Sequence, residues 1–147
     1  MLENKELSFQ WAEAIDIEPI FEFNKALIDK YEDIKNIDYH KVLQWVHRKI
    51  EGNIKEYTTI MLHEQKVGYY YFHKADGKME LDDFFILPQH RNQGIGTAVL
   101  NKCILQTDLP IFLYVFSKNT KAIFLYSRMG FKIIKNIKNT RYIMQRD

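Results

Sequence analysis

The hydrophobic and polar positions change period along the chain, and the change separates helical from extended segments. Near the N-terminus, Leu7–Trp11 alternates apolar and polar residues, which is the two-residue period of a strand. Apolar residues then recur at helical spacing from Ile20 to Tyr31, after Asp16, which we predict to be the helix N-cap. A second helical stripe runs from Tyr39 to Ile50, and Gly52-Asn53 is expected to end that helix.

The rest of the chain is predicted to be mainly extended, with two more helices between the strands. Tyr57–His63, Val67–His73 and Met79–Leu87 are rich in β-branched and aromatic residues. Asp76-Gly77 is a strong hairpin signal, so these segments predict an antiparallel meander. The later predicted elements, alternately helix and strand before a final strand pair, are Gly94–Gln106, Ile111–Phe116, Asn119–Met129, Phe131–Ile134 and Arg141–Met144. This order indicates a mixed α+β protein, and we predict a single domain over residues 1–147.

Composition narrows the class of protein. The chain has 147 residues, of which 46% are hydrophobic and 27% charged, as in ordinary globular domains. No apolar run approaches the ~18 residues of a membrane span and no signal peptide is apparent, so we predict a cytoplasmic protein without membrane association. The single cysteine, Cys103, excludes an internal disulfide, and the histidine spacing predicts no metal site. Basic residues gather near the C-terminus without interleaved aromatic residues, which disfavours nucleic acid as a partner.

The most informative segment joins the third strand of the meander to the next helix. It reads Ile86-Leu87-Pro88-Gln89-His90-Arg91-Asn92-Gln93-Gly94-Ile95-Gly96-Thr97, a polar turn followed by a helix that opens on two glycines. Free backbone amides and the positive end of the helix dipole meet there, and glycines let an anion approach the backbone closely. We therefore predict a pyrophosphate site. The valine at position 99 and the missing Gly-Lys-Ser/Thr argue against a dinucleotide fold and a P-loop.

Two blocks of the sequence resemble the GNAT superfamily of acetyl-CoA-dependent N-acetyltransferases. Ile86-x-Pro88 and Arg91-Asn92-Gln93-Gly94-Ile95-Gly96 resemble its acetyl-CoA signature, and Asn119-x-x-Ala122-x-x-Leu125-Tyr126-x-x-x-Gly130-Phe131 resembles its second conserved region. One helix and one strand separate the blocks, as in the family. The resemblance implies an α+β fold with a mixed, mostly antiparallel sheet, about four helices and two splayed strands that form the acetyl-CoA cleft. It implies an acyltransferase that moves an acetyl group from acetyl-CoA to a primary amine by direct attack.

The resemblance also implies roles for individual residues. The residues expected to contact the coenzyme are Phe84, Phe85, Ile86, Arg91, Asn92, Gln93, Gly94, Ile95, Gly96, Thr97 and Asn119. The Ile86 amide is expected to stabilise the oxyanion, while the turn holds the pyrophosphate. Tyr126 is expected to be the general acid that protonates the leaving thiolate.

The attacking amine also needs a base, because a free alkylamine has a pKa near ~10.4. Some family members carry this base at the position of Glu80. In a regular strand Glu80, Asp82, Phe84 and Ile86 would share one face, which would aim Glu80 at the cleft. Asp82, Asp83 and water are the alternatives that the sequence leaves open.

The sequence does not identify the acceptor amine, the acyl chain length or the oligomeric state, for which a homodimer is one option. The alternative function is a non-catalytic acyl-CoA-binding regulatory domain of the same fold. Retention of Tyr126 and of a candidate base disfavours that alternative.

Overall fold

The computed structural model describes residues 6–147 of the chain. Within these residues, four α-helices and seven strands follow one another in the predicted order. The strands are β1 (Leu7–Trp11), β2 (Thr58–Leu62), β3 (Gln65–Ala75), β4 (Lys78–Ile86), β5 (Ile111–Phe116), β6 (Lys132–Ile137) and β7 (Arg141–Arg146). The helices are α1 (Ile17–Tyr31), α2 (Tyr39–Asn53), α3 (Ile95–Leu105) and α4 (Thr120–Arg128). None of the helices in this part of the chain is both long and apolar enough to cross a membrane.

All seven strands belong to one sheet, in the order β1-β2-β3-β4-β5-β7-β6. Neighbouring strands are antiparallel except for β4 and β5, which are parallel. A parallel pair needs a crossover connection, and α3 provides it. The predicted α+β fold with a mixed, mostly antiparallel sheet is therefore confirmed.

Helices cover both faces of the sheet, and each face has its own hydrophobic core. On the α3 face, α3 and α4 pack over a core that includes Val99, Cys103 and Met144, each at most 1% exposed. On the α1/α2 face, the core is built around Ile20 and Ile50, which are fully buried. The apolar stripes read from the sequence therefore point inwards from both layers of helices.

The start of α1 differs from the prediction. Asp16 does precede the helix, but its side chain does not cap it. An N-cap residue is normally extended, whereas Asp16 is already helical (φ −85°, ψ −11°) at the end of a short 3₁₀ turn. Its carboxylate, 2% exposed, accepts hydrogen bonds from the Glu13 amide, the Lys66 ammonium and the Tyr69 hydroxyl at 2.8, 2.8 and 2.6 Å. Asp16 thus ties the beginning of α1 to β3.

A β-bulge interrupts β4. Tyr71 pairs with Asp82 and Tyr69 pairs with Phe85, so two residues of β4 stand opposite one residue of β3. Asp83, one of the two, has φ 47° and lies in the left-handed region that side chains other than glycine rarely adopt. An inserted residue of this kind bends its strand and shifts the alternation of side chains.

The bulge overturns the prediction that Glu80, Asp82, Phe84 and Ile86 share one face. Asp82 points to the α1/α2 face, where it meets Lys49 of α2. Glu80, two residues earlier in a regular stretch, shares that face. Phe84 and Ile86 lie beyond the bulge and pack against the core of the α3 face. Glu80 and Asp82 therefore face the opposite layer of the protein from Phe84 and Ile86.

Candidate active site

β4 and β5 form a V-shaped cleft. The two strands pair only at their beginnings, through Met79 with Ile111 and Glu80 with Phe112. The pairing of β4 with β5 ends at Glu80, although β4 itself continues to Ile86. The bulge bends β4 away from its parallel neighbour, so the remaining lengths of both strands border an open gap.

One wall of this cleft is the part of β4 beyond the bulge, which presents backbone groups to the gap. The Leu87 amide donates to the Val67 carbonyl of β3 at 2.8 Å. Because alternate residues of a strand direct their amides to opposite sides, the Ile86 amide points away from β3 into the gap. Gly68 of β3 lies opposite Ile86. A Cβ atom added to Gly68 would be 2.3 Å from the Phe85 carbonyl oxygen. Only glycine therefore lets β3 approach β4 this closely.

The loop between β4 and α3 has the backbone of an anion-binding turn. Asn92 (φ 62°) and Gly94 (φ 84°) are both left-handed, and Gly94 is the N-cap of α3. No neighbouring atom lies within 4 Å of where a Gly94 Cβ would be, so this amide surface is accessible. Arg91 donates from Nε to the Ile86 carbonyl at 2.9 Å, which fastens the turn to the end of β4. Arg91, Asn92, Gln93 and Gly94 are all exposed, and amides in such a turn converge on anions.

The first turn of α3 packs closely against the core. The Ile95 side chain is 1% exposed, so only its amide is free to face a ligand. A Cβ on Gly96 would lie 3.4 Å from Leu125 and 3.8 Å from Phe84, which brings the helix start near α4 and β4. Thr97 follows as a partly buried residue. The predicted pyrophosphate turn is therefore anchored on its inner side and open on its outer side.

α4 carries the two remaining predicted residues of the second block. Asn119 caps the helix, with Oδ1 accepting from the Ala122 amide at 3.4 Å, which leaves its Nδ2 as a donor. Tyr126 is 9% exposed on the α3 face, and its ring lies 5.9 Å from that of Phe131. Burial raises the pKa of the Tyr126 phenol well above its usual value. The phenol is therefore protonated at neutral pH, as a general acid must be.

Two aromatic residues near the cleft have different surroundings. Phe85, predicted at the cleft edge, is 6% exposed, and its ring stacks on Phe23 with 3.8 Å between centroids. Its side chain belongs to the α1/α2 core. Tyr114, on β5, is 47% exposed, and the Arg141 guanidinium lies 5.9 Å from its ring centroid. Its neighbours in the strand face the α3 core, so Tyr114 faces the α1/α2 side of the cleft.

Glu80 is the carboxylate best placed for proton transfer. Its side chain is 17% exposed and lies 3.5 Å from His73 Nε2 across the β3–β4 ladder. Burial, reinforced by the negative charges of Asp82 and Asp83 and opposed by Lys49, raises the pKa of Glu80 to about 7. A general base works best when its pKa lies near the working pH.

The two aspartates are held by other groups. Lys49 Nζ lies 2.9 Å from Asp82 Oδ2 and 3.1 Å from Asp83 Oδ2. Asp83, whose side chain is 5% exposed, also accepts a hydrogen bond from the Tyr57 hydroxyl at 2.5 Å. Burial and the charge of Asp82 raise the pKa of Asp83. Both aspartates are therefore engaged in contacts with Lys49 or Tyr57, which favours Glu80 as the base.

Residues 14–131 match the family model described as the acetyltransferase (GNAT) family. The chain belongs to the GNAT family of acetyltransferases. A comparison with curated protein sequences finds no match. Structures with this fold include the PaiA N-acetyltransferase of Thermoplasma acidophilum in complex with coenzyme A, at 17% identity and TM-score 0.65, covering 96% of this chain and 98% of that one.

Two further GNAT structures extend the likeness in fold. The ribosomal-protein-S18-alanine N-acetyltransferase of Escherichia coli has 15% identity and TM-score 0.63, with 95% and 92% of the two chains covered. A GNAT acetyltransferase of Streptococcus agalactiae has 13% identity and TM-score 0.71, with 99% and 98% covered. At these identities the likeness shows the fold, and the residues of this chain have to carry the argument about its chemistry.

His73 lies beside the candidate base Glu80, and the sequence analysis did not predict this neighbour. The pairing of His73 with Glu80 follows from the hairpin, in which Ala75 pairs with Lys78 around the two-residue turn Asp76-Gly77. A two-residue loop fixes the register of its strands. That turn was predicted, so counting back from it would have placed His73 beside Glu80.

One concavity of the acetyltransferase lies away from the turn before α3. It measures about 530 Å³ and is lined by residues of β1 to β4 and the end of α3, among them Phe9, Tyr70, His73 and Lys102. It contains neither the turn before α3 nor the Ile86 edge. The cleft between β4 and β5 is therefore identified by its backbone geometry and charged groups rather than by its size.

Proposed function

We propose that this GNAT acetyltransferase transfers an acetyl group from acetyl-CoA to a primary amine by direct attack. One observation supports the proposal: the end of β4, which borders an open gap beside β5, leads directly into an anion-binding turn at the start of α3. Glu80, a carboxylate of pKa about 7, and Tyr126, a protonated phenol, are the proposed base and acid. Glu80 belongs to the α1/α2 face and Tyr126 to the α3 face. The proposed base and acid thus lie on opposite faces of the sheet.

The coenzyme would lie along the cleft with its pyrophosphate at the start of α3. The amides from Asn92 to Thr97 and the helix dipole favour an anion there, and Arg91 retains guanidinium N–H groups beyond its bond to Ile86. The pantetheine arm would pair with the free edge of β4 as an added strand does. The coenzyme A complex of the Thermoplasma acidophilum protein supports this ligand class.

The reaction requires two proton movements. The amine nitrogen attacks the thioester carbonyl carbon, and the Ile86 amide stabilises the oxyanion that forms. The C–N bond forms and the C–S bond breaks as the tetrahedral intermediate collapses. Glu80 accepts the proton from the nitrogen, and Tyr126 donates a proton to the leaving thiolate. The products are the acetylated amine and coenzyme A.

Distance along β4 limits how Glu80 can act. Ile86 lies six positions further along β4, and an extended strand rises about 3.3 Å per residue, so the two positions are roughly 20 Å apart less the shortening at the bulge. A direct contact between Glu80 and an amine held at the Ile86 amide is therefore excluded. We propose that ordered water carries the proton between them.

The first experiment is calorimetric titration with acetyl-CoA, using free adenosine as a control. We expect binding that Gly94→Asp abolishes, because a carboxylate in the left-handed N-cap position would repel the pyrophosphate. Absence of binding at millimolar coenzyme would overturn the proposal. Binding without release of coenzyme A thiol across a panel of amines would instead support the non-catalytic alternative.

With an active amine in hand, the pH dependence of kcat/KM tests the base. We expect a limb on the acidic side with a midpoint near the Glu80 pKa of about 7, rising as the carboxylate ionises. Glu80→Gln should remove that limb and lower the rate. Glu22→Gln, on the exposed surface of α1, is the matched control. An intact limb and rate in Glu80→Gln would exclude Glu80 as the base.

A further inference from the structure

α2 inserts one largely buried lysine among the carboxylates of β4, and the mechanism above does not use it. The Lys49 side chain is 20% exposed, against 25% for Asp82 and 5% for Asp83. Its ammonium contacts both aspartates, within 2.9 and 3.1 Å. A buried charge is retained only where partners compensate for lost hydration, so this geometry ties α2 firmly to β4.

The contact falls on the bulge. Asp83 is held in a left-handed conformation that is unfavourable for aspartate, and such conformations persist where the surroundings enforce them. Lys49 and the Tyr57 hydroxyl provide that enforcement through the Asp83 carboxylate. The Tyr57 ring is in turn stacked on Tyr71, with 4.6 Å between centroids. The bend that opens the cleft therefore depends on a side chain from another layer.

Asp82, which Lys49 contacts, lies two residues along β4 from the group proposed as the base. The charged and titratable groups around Glu80 are His73 and Tyr71 from β3, Asp82 and Asp83 from β4, and Lys49 from α2. The aspartates raise the pKa of Glu80 and Lys49 lowers it. Two like charges would otherwise favour a protonated Glu80, which cannot accept a proton.

We propose that Lys49 is a positioning residue for acetyl transfer, which holds the β4 bulge from α2 through Asp82 and Asp83 and thereby sets the charge around Glu80. This inference rests on the proposed role of Glu80 as the base. If the inference holds, a residue of α2 influences the proton transfer that Glu80 of β4 would perform.

The test compares Lys49→Met and Lys49→Gln, which remove the charge, with Lys49→Arg, which keeps it. Removal of an opposite charge near a carboxylate should raise its pKa, and a rise of about one unit from about 7 would lower the ionised fraction at pH 7 about five-fold. We therefore expect the acidic limb of kcat/KM to move to higher pH in the neutral variants, with recovery of the rate at alkaline pH. Lys49→Arg should leave the limb in place, as should the exposed control Lys55→Met.

An NMR titration of the Glu80 carboxyl in the same variants separates the two hypotheses. If the NMR midpoint rises but kcat/KM has no matching limb, the effect of Lys49 stands and the role of Glu80 as base fails. If neither midpoint moves, the inference about Lys49 is overturned. It is also overturned if both neutral variants fail to fold while Lys49→Arg folds, since Lys49 then serves only the fold.

The titrations are repeated with EDTA because ligand atoms of His73, Glu80 and Asp82 lie within 4.8 Å of one another. A bound divalent cation would itself lower the pKa of Glu80. A limb that moves only when metal is removed would assign the effect to the cation and overturn the role of Lys49.

Discussion

Replacing Gly68 by alanine tests whether the close approach of β3 to β4 holds the edge of the cleft in place. Gly68 is buried opposite Ile86, the residue whose amide points into the gap. An added methyl group would lie 2.3 Å from the Phe85 carbonyl oxygen and 3.1 Å from the Ile86 Cα. Both are backbone atoms, which cannot rotate aside as the end of a flexible side chain can.

The size of the effect follows from these contacts. A carbon–oxygen contact tolerates about 3.3 Å, so the strands must separate by about 1 Å beside the bulge. Overpacking of a core costs about 1–3 kcal/mol, and the backbone contact at Gly68 favours the upper half of that range. For a domain of this size the melting temperature should fall by roughly 5–10 °C. The displacement also moves Ile86, so the affinity for acetyl-CoA should decrease.

Urea denaturation and calorimetry with acetyl-CoA measure the two effects. The matched control is Gly52→Ala in α2, where a Cβ would meet no atom within 4 Å. An alanine in a helix is favoured over glycine by about 0.5–1 kcal/mol, so this control should be slightly more stable than the parent and bind equally well. If Gly68→Ala matched the parent in both stability and affinity, the argument that glycine is required at this contact would be wrong.

Two further predictions concern single side chains. Asp16→Ala should destabilise the protein by about 3 kcal/mol, because Lys66 and the buried Tyr69 hydroxyl lose a charged acceptor. Burial opposes ionisation of Asp16, but the bonds from Lys66 and Tyr69 outweigh it and lower its pKa, so urea denaturation should show the full difference above the unfolded pKa near ~3.9 and a shrinking one as pH falls below it. Tyr126→Phe should reduce kcat by about 100-fold or more while calorimetric affinity for acetyl-CoA is retained, since only the hydroxyl is lost. An unchanged kcat would exclude Tyr126 as the general acid.

Much of the fold was predictable because its determinants are neighbours in the chain. β1 and β5 begin and end at the residues that the apolar pattern predicts, Leu7–Trp11 and Ile111–Phe116. Strand alternation, helical stripes and turn residues are patterns of a few neighbouring positions, so the secondary structure that they predict can be read without knowing the tertiary contacts. The turn before α3 also belongs to this class, since glycines, a helix start and a preceding strand are all local features.

The candidate base shows what the chain order could not supply. In the sequence, Asp83 is one more residue of an extended segment. The bulge that reverses the faces of β4 is visible only in its pairing with β3, where Lys49 of α2 contacts the Asp83 carboxylate. Lys49 lies more than thirty positions from Asp83 in the chain. Burial and the charge of Asp82 raise the pKa of Glu80, and the charge of Lys49 opposes that rise. The orientation and the ionisation of a side chain depend on groups that folding brings close to it. The residues next to it in the chain do not show which groups these will be. The sequence by itself therefore determined the elements and the local pattern of the predicted coenzyme turn, and it named Glu80, Asp82 and Asp83 as candidate bases. Only the tertiary structure decided the faces, burial and partners of these three carboxylates, because those depend on groups that are distant in the chain.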